Sequence, residues 1–211
     1  MSVVFRCLMI FVLLGAPVWA QESGTAETSG GSNAEPADGA NTDGLSLGIP
    51  EIKVGQTYSD GTHGDWEVRC VKAAEGNDPC QLYQLLKDEQ GNSVAEINLF
   101  NLPEEGPAVA GATVITPLET LLTEPMRLAV DGGQARMYPY RFCAQVGAQR
   151  HGCIARLGFT ADEIENFKKG SAANVIIHAA GKPQEPVNLR LSLSGFTAGW
   201  GDISARNAPT E

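Results

Sequence analysis

Four cysteines, Cys70, Cys80, Cys143 and Cys153, carry the most regularly spaced chemistry in this chain. Cys70 and Cys80 lie ten positions apart (80 − 70), and so do Cys143 and Cys153 (153 − 143). Thiols so arranged could form bridges, a redox pair or a four-cysteine zinc site. Redox and zinc sites usually show a C-x-x-C spacing, and neither pair has it. Four cysteines allow three pairings. The repeated spacing favours Cys70–Cys80 and Cys143–Cys153. A bridge closing a loop of that size stabilises by about 2.5–3 kcal/mol in the chain-entropy account.

Other reactive residues are scattered. His63, His151 and His178 do not fall at metal-ligand spacings from one another. Glu104-Glu105 precedes Gly106-Pro107 and reads as a solvated loop, whereas Asp162-Glu163 suits the first turn of a helix. Ser194-Gly195 lacks the preceding glycine of a nucleophile elbow. These residues suggest no catalytic set, metal or cofactor. Aromatic residues offer a different chemistry. Tyr138, Tyr140 and Arg141, within Tyr138-Pro139-Tyr140-Arg141-Phe142, are candidate contacts for a partner, since Tyr and Arg favour interfaces. The bland alternative is that Tyr138, Tyr140 and Phe142 pack one sheet face. Trp200, just beyond Phe196, is a further candidate, placed to cover an open end of the fold.

Strands must position these residues. Trp66-Glu67-Val68-Arg69-Cys70, Met126-Arg127-Leu128-Ala129-Val130-Asp131 and Asn188-Leu189-Arg190-Leu191-Ser192-Leu193-Ser194 alternate with period two, the mark of half-buried strands. Further strands are expected at 81–86, 94–102, 112–116, 135–142, 153–157 and 174–178. Asp131-Gly132-Gly133 reads as a hairpin turn. Thr160-Ala161-Asp162-Glu163 fits a capping box, with Ile164 and Phe167 on one face and Gly170 in a left-handed closing position. One short helix among many short strands points to a mostly β protein, a β-sandwich, with a small open barrel as the alternative.

The amino-terminal residues read differently. Arg6, the apolar run from Cys7 to Leu14 and Val18-Trp19-Ala20 form a signal peptide over 1–20, cut after Ala20. Residues 21–50 carry Glu22, Glu27, Glu35, Asp38 and Asp43 without Lys or Arg, and read as a disordered acidic linker. As a flexible tether it spans about 30 Å r.m.s.. Residues 51–205 form the domain, and 206–211 a flexible C-terminus. Formal net charge is −10, or −11 once Arg6 is lost. No basic stripe answers nucleic-acid phosphates, and no basic cluster answers an anionic membrane. No later segment is apolar enough to span a bilayer. The compartment implied is oxidising: the periplasm, the outer-membrane surface or the exterior.

Several motifs together resemble one family. Gly64-Asp65-Trp66-Glu67-Val68-Arg69-Cys70, Cys80-Gln81-Leu82, Tyr140-Arg141-Phe142-Cys143, Gly152-Cys153-Ile154-Ala155 and Leu191-Ser192-Leu193-Ser194-Gly195-Phe196-Thr197-Ala198 follow the order of the invasion-associated locus B family. The resemblance runs from about Thr62 to Ser204. It departs at Ser194, where the closing motif often has lysine, and at Gly199-Trp200, in place of an alanine-rich ending. It implies an exported alphaproteobacterial envelope protein with an immunoglobulin-like β-sandwich. The family's name comes from host-cell invasion by a few pathogens, although it is widespread in free-living bacteria. The expected function is a non-catalytic interaction module whose partner is an envelope or host-surface protein. An envelope hydrolase with unrecognised carboxylates, or a thiol-redox protein, is the alternative.

Overall fold

The structure is a computed structural model that describes residues 48, 50–103, 105–146 and 150–208. The signal peptide expected over 1–20 and nearly all of the acidic linker expected over 21–50 lie outside these residues. Eleven strands and two helices follow in chain order: β1 (Thr57–His63), β2 (Trp66–Val71), β3 (Cys80–Lys87), β4 (Ser93–Asn101), β5 (Ala110–Thr116), β6 (Met126–Val130), β7 (Arg136–Tyr138), β8 (Tyr140–Val146), β9 (Arg150–Phe159), α1 (Ala161–Lys169), β10 (Ala172–Ala179), β11 (Lys182–Ser192) and α2 (Phe196–Arg206). The protein is mostly β, as its alternating segments require.

The strands are hydrogen-bonded into one sheet, in the order β7-β6-β10-β11-β3-β4-β5-β9-β8, with β2 beside β3 and β1 beside β2. This corrects the expected immunoglobulin-like sandwich, which would divide the strands between two separately bonded sheets. The reason lies at Pro139. The strand read as one run over 135–142 is two strands, and they stand at opposite ends of the path. Arg136–Tyr138 pairs with β6, whereas Tyr140 and Phe142 pair with β9. Pro139 has no N–H to give a ladder, so the chain changes partner there. The sheet thereby almost closes on itself.

A second special point is the seam between β3 and β11. The first half of β3 pairs with β2, but only Lys87 pairs with β11, at Arg190. The Gln84 side chain spans the fork. Its Oε1 accepts from the Ser192 N–H at 2.7 Å, and its Nε2 donates to the Ser192 carbonyl at 3.0 Å. A buried amide thus replaces a missing rung of backbone ladder.

One face of the sheet is apolar. Trp66, Val68, Leu82, Ile97, Leu99, Val114, Met126, Val175, Leu189 and Leu191 are wholly buried on it. α1 begins with the capping box that the sequence shows, Thr160 paired reciprocally with Glu163, and buries Ile164 and Phe167. Gly170 does not take the left-handed form expected of it, since its φ is −78°. It is glycine for want of room: a Cβ would lie 2.7 Å from Val130 Cγ1 and 2.8 Å from Leu193 Cδ1.

Two further differences concern the ends of the domain. A second helix, α2, corrects the expectation of one. Its Thr197, Gly199 and Gly201 are weak helix formers, and packing of Phe196 and Ile203 holds it in place. α2 also orders the start of the segment read as a loose tail from 206. Arg206 is its last residue, and Asn207 is bonded to β3. Strand β1 is polar and mostly exposed, so it carries no alternation to read; it exists through pairing with β2.

The seam gives a test. Gln84→Ala would leave the Ser192 N–H and carbonyl without partners. Urea unfolding should show a loss of about 1–3 kcal/mol. An unchanged midpoint would mean that the seam does not depend on this amide.

Candidate functional site

Among the described residues is an open groove of about 1050 Å³. Cys80, Gln81, Phe100 and Asn101 of β3 and β4 form its floor, extended by Leu102, Pro103 and Val109. Ala161, Ile164, Glu165 and Lys168 of α1 make one wall, and Trp200, Ser204 and Arg206 of α2 the other. The helices meet where the Thr197 hydroxyl donates to the Lys168 carbonyl at 3.2 Å.

Trp200 is held by a chain of rings. It stacks on Phe196 at 6.2 Å and an interplanar angle of 17°. Buried Phe196 in turn meets the edges of Trp66 and Phe167, each at 5.5 Å. Phe167 meets Phe159 at 5.0 Å, and Phe159 meets Tyr138 at 6.1 Å. Such tilted and offset contacts suit the ring quadrupoles. The Trp66 indole N–H, fully buried, has no hydrogen-bond acceptor among the described residues.

Polar clips fix the mouth of the groove. Asn207 accepts from the Cys80 N–H at 2.8 Å, and donates to the Cys80 carbonyl at 2.8 Å and to Asn101 Oδ1 at 2.6 Å. Asp78 accepts from the Ala73 N–H at 2.8 Å and from the Tyr58 hydroxyl at 2.7 Å. The Ala73 N–H, with help from Tyr58 and Lys72, holds the Asp78 carboxyl below its usual range. The Tyr58–Asp78 hydrogen bond, with burial and the charges of Asp78 and Asp60, raises Tyr58 to about 12. Arg206 donates to Asp202 at 2.6 Å and also pairs with Asp60. Arg206 first, then His63 at 2.9 Å, keep the Asp202 carboxyl low. His63 and Asp202 therefore tie β1 to α2.

The sequence candidates separate in space. Trp200 lines the groove, half-buried. Tyr138 and Tyr140 are also half-buried and pack against the core, while Arg141 and Phe142 lie exposed on β8. Burial raises both tyrosines, Tyr138 to about 12 with the Glu163 charge adding to the effect. Cys70–Cys80 and Cys143–Cys153 are the disulfides, each joining directly opposed residues of antiparallel strands. The histidines have separate surroundings: His178 Nδ1 lies 3.1 Å from the Pro183 carbonyl, and His151 pairs with Gln145 across the ladder. No three His, Cys, Asp or Glu side chains converge as a metal set among the described residues. Sequence reasoning missed Phe100, Asn101 and Asn207. Phe100 reads as one more strand aromatic, and a lone Asn in a presumed tail carries no signal.

What fold and groove define is a small disulfide-clamped β protein with a helix-walled cleft, and comparison with known proteins assigns its class. The family model for the invasion associated locus B (IalB) protein matches residues 66–204, and the chain belongs to that family. It is 28% identical over 162 residues to invasion protein B homologues from two strains of Brucella abortus, 2308 and biovar 1 strain 9-941. That match covers 76% of this chain and 88% of each relative. The crystal structure of invasion associated protein B from Bartonella henselae superposes with a TM-score of 0.55 at 24% identity, over 70% of this chain and 96% of that one. This last likeness speaks for the fold. Among the described residues, no helix is long and apolar enough to cross a membrane.

The four tyrosines, Tyr58, Tyr83, Tyr138 and Tyr140, all have raised pKa values. A phenol whose folded pKa exceeds its unfolded one adds stability that is fully present below the unfolded value and disappears as pH climbs through the folded one. Ultraviolet titration of the native protein should therefore place tyrosinate formation above the ordinary phenol value of about 10, reaching about 12 for Tyr58 and Tyr138. In urea it should return to about 10. Stability should decline across that interval, and Tyr58→Phe should soften the decline. A native titration centred at 10 would contradict the burial and the Asp78 hydrogen bond described.

Proposed function

We propose that the chain is an exported, non-catalytic cell-envelope protein, and that the groove between α1 and α2 is where it holds a partner protein. One observation carries this reading: the groove sets Phe100, Leu102, Pro103 and Val109 in its floor beside polar Gln81 and Asn101, and has Trp200 on its wall. Half-exposed Trp200 on a stiff aromatic support has the character of an interface anchor. Charges of both signs ring it, Lys168 paired with Glu165 at 2.7 Å and Arg206 beside Asp202. An open trough of this kind suits an extended or helical polypeptide segment with apolar side chains better than an engulfed small molecule.

Export rests on other observations. The signal-like residues 1–20 and the two disulfides both suit an oxidising compartment. The Brucella relatives are named as invasion proteins, a role that would place the partner on a host surface. We favour a partner in the protein's own envelope, because the domain needs nothing beyond export to meet one.

A photo-crosslinking residue in place of Lys168, in the full chain expressed in its own cell, should give a discrete adduct with an envelope polypeptide. The same residue in place of Glu185, exposed on the first half of β11, should give none, and Trp200→Ala should weaken the Lys168 adduct several-fold. Equal labelling from both positions, or none from Lys168, would refute the groove as the contact. An adduct seen only in the presence of host cells would move the partner to the host surface.

A further inference from the structure

The two disulfides have the same sequence separation and the same cross-strand placement, but not the same access. Cys70 is fully buried and Cys80 is 5% exposed. Asn207 closes over the Cys80 backbone, and Cys80 lies at the base of the groove against α2. Cys143 is exposed, while its partner Cys153 is 0% exposed. β8, which carries Cys143, ends the sheet path, so past Pro139 it has β9 on one side and no strand on the other among the described residues. Cys153 sits in a fixed setting. Its carbonyl accepts from the Thr116 hydroxyl at 3.2 Å, and that hydroxyl also accepts from Thr120 at 2.9 Å.

From this asymmetry we propose that Cys143–Cys153 is a thiol-exchange site: Cys143 accepts an external thiolate as a mixed disulfide, and Cys153 is the resolving thiol. The external sulfur attacks Cys143 Sγ and forms the new S–S bond. The Cys143–Cys153 bond breaks, and its electron pair leaves on Cys153 Sγ, which takes a proton from water. Reversal needs no added oxidant. Cys153, held by β9, attacks Cys143 Sγ and expels the incoming thiolate. Exchange depends on access and on which sulfur can be reached. Here Cys143 is exposed and Cys153 is buried, so a single adduct site is selected. Arg141, exposed on the same strand, adds positive charge to the approach of a thiolate. The ligand chemistry is a thiolate, whether of a small molecule or of an envelope dithiol protein. This site is independent of the groove.

The test uses the oxidised full chain without its first 20 residues, treated under native conditions with glutathione or with a reduced thioredoxin-type protein, then acid-quenched, alkylated and peptide-mapped. Cys143–Cys153 should open about tenfold or more faster than Cys70–Cys80, with the glutathione adduct on Cys143. Cys153→Ser should trap the Cys143 adduct. In Cys143→Ser, the Cys153 thiol should resist iodoacetamide until urea is added. Reaction with glutathione alone or with the dithiol protein alone would support the site and identify its source of thiolate. Opening of both bridges at one rate, adducts shared with Cys70 or Cys80, or no reaction with either thiol short of unfolding would overturn it; the wild-type measurement decides this even if a variant fails to fold.

Discussion

Two turns come so close that neither admits a side chain. A Cβ on Gly195 would fall 2.0 Å from the His63 carbonyl oxygen, and one on Gly64 would fall 2.6 Å from that of Ser194. Both glycines also have positive φ, 81° and 57°, which costs glycine least. Their contact brings the Trp66 end of β2 against the start of α2, so that Phe196 enters the core between Trp66 and Phe167. Ser192 Oγ donates to Asp65 at 2.5 Å, and the Asp65 N–H donates to the Ser194 carbonyl at 3.1 Å, across the same junction. Without it α2 has poor intrinsic helicity and little reason to form.

The sheet meets the same need for closure by other means. Pro139 lets one run of chain serve both ends of the strand order, and Gln84 stitches the seam where β2 and β11 part from β3. A sheet that nearly closes leaves little backbone edge exposed, and β8 carries part of what remains. The cost is two irregular places, one with a missing N–H and one with a side-chain amide in the ladder. The exposed cysteine lies on β8, just beyond the first irregularity, and the buried disulfide lies at the start of β3, ahead of Gln84.

Groove and redox site divide the surface between them. The groove depends on helices that the glycine junction places, with Asn207 and Arg206 fixing its mouth. Cys143 depends only on β8 being the last strand of the path. Tyr138, at the far end of the ring chain from Trp200, shows that the aromatic candidates share a support without sharing a surface.

Local pattern alone determined a good part of this protein. Period-two alternation located most strands, Thr160 and Glu163 marked the start of α1, and equal cysteine spacing gave the pairing, because each signal acts within about ten residues of chain. The family motifs were likewise legible, as short runs in order. The closure, the seam, α2 and the groove were not. Gln84 meets Ser192 across 108 positions, and Cys80 meets Asn207 across 127. An amide at either site looks like any surface amide until the coiling of the sheet decides what stands opposite it. The same applies to Cys143 and Cys153, alike in sequence and unlike in exposure, because exposure depends on which strand ends the sheet.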